Sequence, residues 1–136
     1  MDSTTLRAPI ETLKPKAPIS VTKDTLIKDV LNIMRNKRFG CVCITENDSL
    51  LGIFTERDVL NKVIGGNLDV NTVKVGEVMT VDPEYLFLDD QIAFALNRMH
   101  VGGFRHIPLI DLTGKPTGII SVRDIMNYLI KNIKQQ

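Results

Sequence analysis

Two stretches decide the architecture: Gly52-Ile53-Phe54-Thr55-Glu56-Arg57-Asp58-Val59-Leu60 and Gly118-Ile119-Ile120-Ser121-Val122-Arg123-Asp124-Ile125-Met126. They share the pattern Gly, two apolar residues, Thr or Ser, any residue, Arg, Asp, and they lie 66 positions apart (118 against 52, 124 against 58). The register persists downstream, where Val59, Leu60, Val63 and Ile64 fall on Ile125, Met126, Leu129 and Ile130, a helical stripe written twice. Upstream the offset becomes 65, with Ile27, Val30, Leu31 and Met34 answering Ile92, Ala95, Leu96 and Met99. The lost position fits a difference in turn length between Glu46-Asn47-Asp48-Ser49 and Asp111-Leu112-Thr113-Gly114-Lys115. Two offsets, each held over several residues, identify an internal duplication.

Each copy reads in one order. A short extended piece (Ile19 to Val21; Tyr85 to Leu88) leads to a helix beginning near Asp24 or Asp89. An apolar strand follows (Cys41 to Ile44; Ile107 to Ile110), then a polar turn and a second strand (Leu50 to Phe54; Thr117 to Ile120). Asn47-Asp48-Ser49 and Thr113-Gly114 suit hairpins, so these strands are expected to pair antiparallel. A closing helix runs from about Arg57 to Ile64 and from Arg123 to about Ile133, the first stopped by Gly65-Gly66-Asn67. The fold class is α+β: two βαββα repeats packed as a pseudo-twofold pair with one shared core, because each alone is small. The expected divisions are a tail over 1–9, a first repeat over 10–66, a linker over 67–74 and a second repeat over 75–133. Leu13 is a candidate edge strand of the first repeat.

Composition narrows the function. The chain has 136 residues, 43% hydrophobic and 24% charged, with a net charge of +1. Those are values of a folded globular protein. Interspersed charges offer no basic stripe for nucleic acid and no membrane signal, and no apolar run reaches the roughly 18 residues that span a bilayer. Met1 to Thr5 lacks the basic and apolar regions of a secretory signal, so a cytoplasmic location is expected. Cys41 and Cys43 are read as two small buried thiols, with no metal site implied. No nucleophile elbow, HExxH, Walker A loop or GxGxxG is present, and His100 and His106 lack metal-ligand spacing, so catalysis is not expected.

The duplicated Gly-to-Asp segment has two readings. Thr55 to Asp58 and Ser121 to Asp124 match a helix N-terminal capping box, in which hydroxyl and carboxylate satisfy backbone N–H groups. The same geometry suits an anionic ligand: a helix N-terminus and a hydroxyl meet phosphate, a carboxylate one turn in accepts two ribose hydroxyls, and Arg57 or Arg123 pairs with phosphate. In the second copy, Arg105-His106-Ile107-Pro108 enters a strand whose proline cannot donate to a ladder. That strand is expected at an edge or lining a cleft, its backbone open to a planar heterocycle. Arg98 and His100 are read as surface residues.

The order of these elements, with Gly-Ile-Phe-Thr-Glu-Arg-Asp-Val, Gly-Ile-Ile-Ser-Val-Arg-Asp-Ile and Arg105-His106-Ile107-Pro108-Leu109-Ile110-Asp111, resembles the CBS-domain pair, or Bateman module. Val75-Gly76-Glu77-Val78-Met79-Thr80 is similar to the strand that leads into a copy of that family. The resemblance implies a non-catalytic regulatory module that binds AMP, ADP, ATP or S-adenosylmethionine. It puts phosphate on Thr55 and Ser121, ribose on Asp58 and Asp124, and adenine against Val78, Thr80, His106, Ile107 and Pro108. The first copy lacks the His and Pro, having Gly40-Cys41-Val42-Cys43 instead, and its lead-in Leu13-Lys14-Pro15-Lys16 departs from the pattern. The site centred on Asp124 is therefore the first choice. The resemblance further implies a homodimer forming a disc of four CBS units, and a target protein acted on in trans. A ligand-free interaction scaffold, with both aspartates serving only as caps, is the alternative.

Overall fold

The computed structural model describes residues 3–134; Met1 and Asp2 of the expected tail lie outside the described residues. Helices and strands are mixed in the α+β manner, and contacts divide the chain into two compact units. Among the described residues, one unit comprises 18–83 with 112–116, the other 3–17, 84–111 and 117–134.

In the unit built on the first copy, β1 (Ser20–Thr22), α2 (Ile27–Lys37), β2 (Cys41–Glu46) and β3 (Ser49–Thr55) follow a short N-terminal helix α1 (Ser3–Arg7) that belongs to the other unit. After β3 come α3 (Glu56–Asp58) and wider π-type turns over Val59–Ile64. β1 runs parallel to β2, and β2 is antiparallel to β3, with Glu46 opposite Ser49 across Asn47 and Asp48. Both turn residues have positive φ, 51° and 65°, the type I′ geometry whose twist matches the strands it joins. α2 begins at Ile27, three residues after Asp24, because residues 22 to 25 close a turn of their own through Thr25 N–H to Thr22 O (3.1 Å). The core comprises Ile27, Val30, Met34, Val42, Ile44, Phe54 and Val75.

The unit built on the second copy repeats the plan with α4 (Ile92–Gly102), β5 (His106–Ile110), β6 (Pro116–Ser121) and α5 (Val122–Lys134). β5 and β6 form a two-stranded sheet, joined by a connection too short for a parallel crossover. The expected strand at Tyr85 to Leu88 is reduced to one parallel bridge, Leu86 with Leu109. Phe87 N–H is drawn instead to the Asp90 carboxylate (2.8 Å), which turns the chain into α4. Its core comprises Ile10, Leu86, Ile92, Ala95, Met99, Ile107, Leu109, Ile120 and Ile125. Each unit thus has its own apolar cluster.

The remaining strand, β4 (Thr80–Val81), shows that the lead-in segments are exchanged. It precedes the second copy in sequence but pairs antiparallel with β3 of the first, Thr80 opposite Ile53. Conversely Lys16, ahead of the first copy, bridges Ile119 on β6. Matching hydrogen bonds anchor the two segments: Ile27 N–H to Val73 O (2.9 Å) answers Ile92 N–H to Ala8 O (3.0 Å), and Val75 N–H to Thr25 O (2.8 Å) answers Ile10 N–H to Asp90 O (2.8 Å). The expectation that Leu13 edges the first repeat is therefore corrected. Leu13 ends a 3-10 turn over Ile10–Leu13 and packs on the second copy's core, held there by the fully buried Ile10.

Candidate functional site

The motif residues sit where each copy's last strand becomes its last helix. In the first copy Thr55 is the N-cap of α3, and the capping box is complete. Asp58 N–H donates to Thr55 Oγ1 (3.4 Å), while Thr55 N–H donates to Asp58 Oδ2 (2.9 Å). In the second copy Asp124 N–H donates to Ser121 Oγ (3.2 Å) and Ser121 N–H to Asp124 Oδ2 (2.8 Å). The capping reading therefore holds at both positions. It occupies one carboxylate oxygen of each aspartate and leaves the other to decide function.

There the copies part. Asp58 is 8% exposed, and its Oδ1 lies 3.1 Å from Lys62 Nζ, one helical turn on. The same ammonium donates to Val78 O (2.6 Å), which ends a 3-10 turn over Val75–Glu77 just ahead of β4, and so ties the helix to the lead-in segment. Asp124 is only half-buried, and its Oδ1 takes no hydrogen bond or ion pair among the described residues. A cavity of about 370 Å³ opens beside it, lined by Thr12, Leu13, Lys14, Lys16, Asp124, Asn127, Tyr128 and Lys131. Every one of these belongs to the second copy's unit. The volume is that of a small-molecule site, and three lysines against one carboxylate give the lining a positive balance.

The predicted site residues divide between the units. Thr55, Arg57 and Asp58 lie with Val78 and Thr80; Arg105, His106, Ile107 and Pro108 lie with Ser121, Arg123 and Asp124. Val78 and Thr80 hence do not accompany the His106 to Pro108 strand, because exchange of the lead-ins carries them to the first copy. Lys14 to Lys16 takes the corresponding place beside β6. Arg57, Arg105 and Arg123 are exposed, and His106 opens β5 half-buried. Ile107 is fully buried in the core, and Pro108 O is taken by Leu86 N–H (3.1 Å). As the proline suggested, β5 has β6 on one side and a single bridge on the other.

The sequence reading missed Thr12, Asn127, Tyr128 and Lys131 and gave the lead-in lysines no role. A signal existed for α5: positions 124, 127, 128 and 131 share one helix face. Nothing in the sequence announced which copy the Lys14 to Lys16 segment joins.

Cys41 and Cys43 are free and buried on β2. Burial pushes both thiols up, Cys43 to about 12, and Cys41 further, with Cys43 and Asp58 nearby adding to the effect. Among the described residues no group of three His, Cys, Asp or Glu side chains could hold a metal ion. No described helix is long and apolar enough to cross a membrane.

The sequence profile of the CBS domain matches residues 11–65 and again 75–131. The chain belongs to the CBS-domain family. It is a CBS pair. The CBS domain-containing protein CBSCBSPB3 of Arabidopsis thaliana is 32% identical over 120 residues, covering 88% of this chain and 20% of the relative. The CBS pair thus spans about a fifth of that relative's length. Among solved structures, CBS domain protein PAE2072 from Pyrobaculum aerophilum, complexed with AMP, superposes with a TM-score of 0.80 at 20% identity, covering 93% of this chain and 98% of that one. The CBS domain pair of protein MJ0100, in complex with 5'-methylthioadenosine and S-adenosylmethionine, gives 0.82 at 20% identity, covering 90% and 99%. These likenesses establish the fold.

Proposed function

We propose that this CBS pair is a regulatory module that senses an adenine nucleotide, AMP, ADP or ATP, and passes the signal to a partner protein in trans. The observation that carries the reading is Asp124: a half-buried carboxylate with one oxygen used in capping and the other uncommitted, beside a cavity of nucleotide-compatible size. Such an oxygen accepts ribose hydroxyls, while Ser121 and the Lys14, Lys16 and Lys131 ammonium groups suit phosphate. Two structurally similar proteins carry adenosine ligands, which supports the class. The lysine balance favours a phosphate-bearing ligand over S-adenosylmethionine, whose sulfonium is a cation. The adenine contacts of this reading shift to the Lys14 to Lys16 segment and His106, with Val78 and Thr80 assigned to the first copy.

Binding acts by favouring one of two conformations, and the partner reads the shift. A homodimer belongs to the same reading. Within the second copy's unit, Met126, Ile130 and Ile133 on α5 are about half exposed; in the first, Leu60 and Ile64 are 62% and 69% exposed. Large apolar side chains left exposed on a closing helix suit association with another copy. A cytoplasmic location is supported by two unpaired, buried thiols.

The test is isothermal titration with AMP, ADP, ATP and S-adenosylmethionine, alongside melting curves. A ligand bound only to the folded state raises Tm through RT ln(1 + [L]/Kd). Asp124→Ala is expected to weaken nucleotide binding at least tenfold, and Lys131→Ala, on an exposed helix face, to weaken ATP more than AMP. If the wild type ignores all four compounds at millimolar concentration, the sensing reading falls and the scaffold reading replaces it.

A further inference from the structure

The duplication makes position 62 of the first copy equivalent to position 128 of the second, in the register that aligns Val59 with Ile125 and Val63 with Leu129. The residues differ, Lys62 against Tyr128, and each lies one turn beyond its motif aspartate. Lys62 places a cation on Asp58 Oδ1 at 3.1 Å and pins the lead-in segment through Val78 O. Tyr128 carries no charge, packs against its unit's core and sends its hydroxyl to Thr5 O (3.4 Å), so that its ring walls the cavity without pairing Asp124.

We infer that this one position decides which copy receives a ligand: Lys62 is an internal counter-ion that fills Asp58, Tyr128 keeps Asp124 available, and the chain takes one ligand. The inference rests on the sensing reading above and adds a stoichiometry and a determinant to it. The physical reason is competition for one oxygen. An i, i+4 ammonium on a largely buried carboxylate is a charge-assisted contact made within the chain, with no association entropy to overcome. Ribose hydroxyls are neutral donors, so their hydrogen bonds to a carboxylate are assisted by one charge where the ammonium brings two. At Asp124 they meet no internal cation among the described residues, but at Asp58 they would have to displace Lys62. Tyr128 is therefore a specificity-determining residue that acts through Asp124.

The experiment is titration calorimetry with ADP on wild type, Tyr128→Lys and Tyr128→Phe, with melting curves for each. Wild type is expected to bind one equivalent per chain. Tyr128→Lys, which places in the second copy the residue found in the first, is expected to lose at least tenfold in affinity while still melting cooperatively. Tyr128→Phe keeps the ring and is expected to bind within threefold of wild type. Two equivalents of similar affinity on the wild type, or undiminished binding by Tyr128→Lys, would overturn the inference while leaving the sensing reading intact. Absence of binding by the wild type overturns both. Should Tyr128→Lys fail to fold, the wild-type stoichiometry still decides between one site and two.

Discussion

At the residue scale, the first glycine of the repeated motif owes its identity to the neighbouring lead-in strand. A Cβ added to Gly52 would meet Thr80 O at 2.6 Å and Met79 Sδ at 2.7 Å, closer than side chains and backbone approach. At Gly118 the nearest atom is Pro15 Cβ at 3.1 Å. Gly52→Ala is therefore expected to cost about 1–3 kcal/mol, the range for overpacking, and Gly118→Ala distinctly less. Urea denaturation of the two variants checks the order. The cysteines give a pH dependence. Their folded values lie above the ordinary thiol value of 9.0, with Cys43 at about 12. An acid whose pKa is raised by folding stays protonated in the native state while the unfolded chain loses its proton. Stability is therefore unaffected below about pH 9 and declines as pH rises from there toward 12, by at most about 1.4 kcal/mol per pH unit for each thiol. Chemical denaturation between pH 8 and 10.5 should show that decline, and Cys41→Ala with Cys43→Ala should flatten it.

At the scale of elements, the two lead-in segments are the least conspicuous parts of the sequence and hold some of its most buried residues. Ile10 and Val75 are both fully buried, each in a core assembled mainly by the copy that is not its sequence neighbour. Ile10→Ala is expected to destabilise by about 2–4 kcal/mol, as deletion of a well-packed Ile side chain does. Its hydrogen-exchange signature should fall on α4, β5 and β6, not on β2 and β3. Loss of protection in the first copy instead would contradict the exchange. The strands and helices themselves were legible because their signals are local: turn chemistry at Asn47-Asp48-Ser49, short apolar runs, helical apolar periods, and a motif written twice. Helix starts were displaced because Asp24 and Asp89 belong to turns, where their propensity is equally satisfied. The exchange of lead-ins was not legible, since a short strand states its period but not its partner. The same ignorance grouped Val78 and Thr80 with the His106 to Pro108 strand, whereas they lie in the unit of the first copy, and it left Lys14 and Lys16 without a role. By contrast, Asp58 and Asp124 stand out in the repeated motif, and only coordinates could show that Lys62 pairs with the first.

At the scale of the whole molecule, the duplication in sequence and the division in space do not coincide, which decides how the chain can be cut. A segment over 10–66 follows the sequence repeat, yet it omits Val75, the strand Thr80–Val81 and the Lys62 contact with Val78 O, and it carries Ile10 with no core to enter. A segment over 18–83 retains all of the first copy's buried cluster and loses only the turn 112–116, which contributes Gly114 O to Leu50 N–H (2.9 Å) and Thr113 O to Ser49 Oγ (3.3 Å). Domains this small stand near the limit of independent stability, where one missing core side chain or edge strand is decisive. The 18–83 fragment is therefore expected to unfold cooperatively in urea, and the 10–66 fragment to show no cooperative transition, followed by circular dichroism at matched concentration. Equal cooperativity in the two fragments would mean that the lead-in strand adds nothing to the core it adjoins. It would equally undercut the anchoring role of Lys62, since a strand that adds no stability is not worth an ammonium group to hold it.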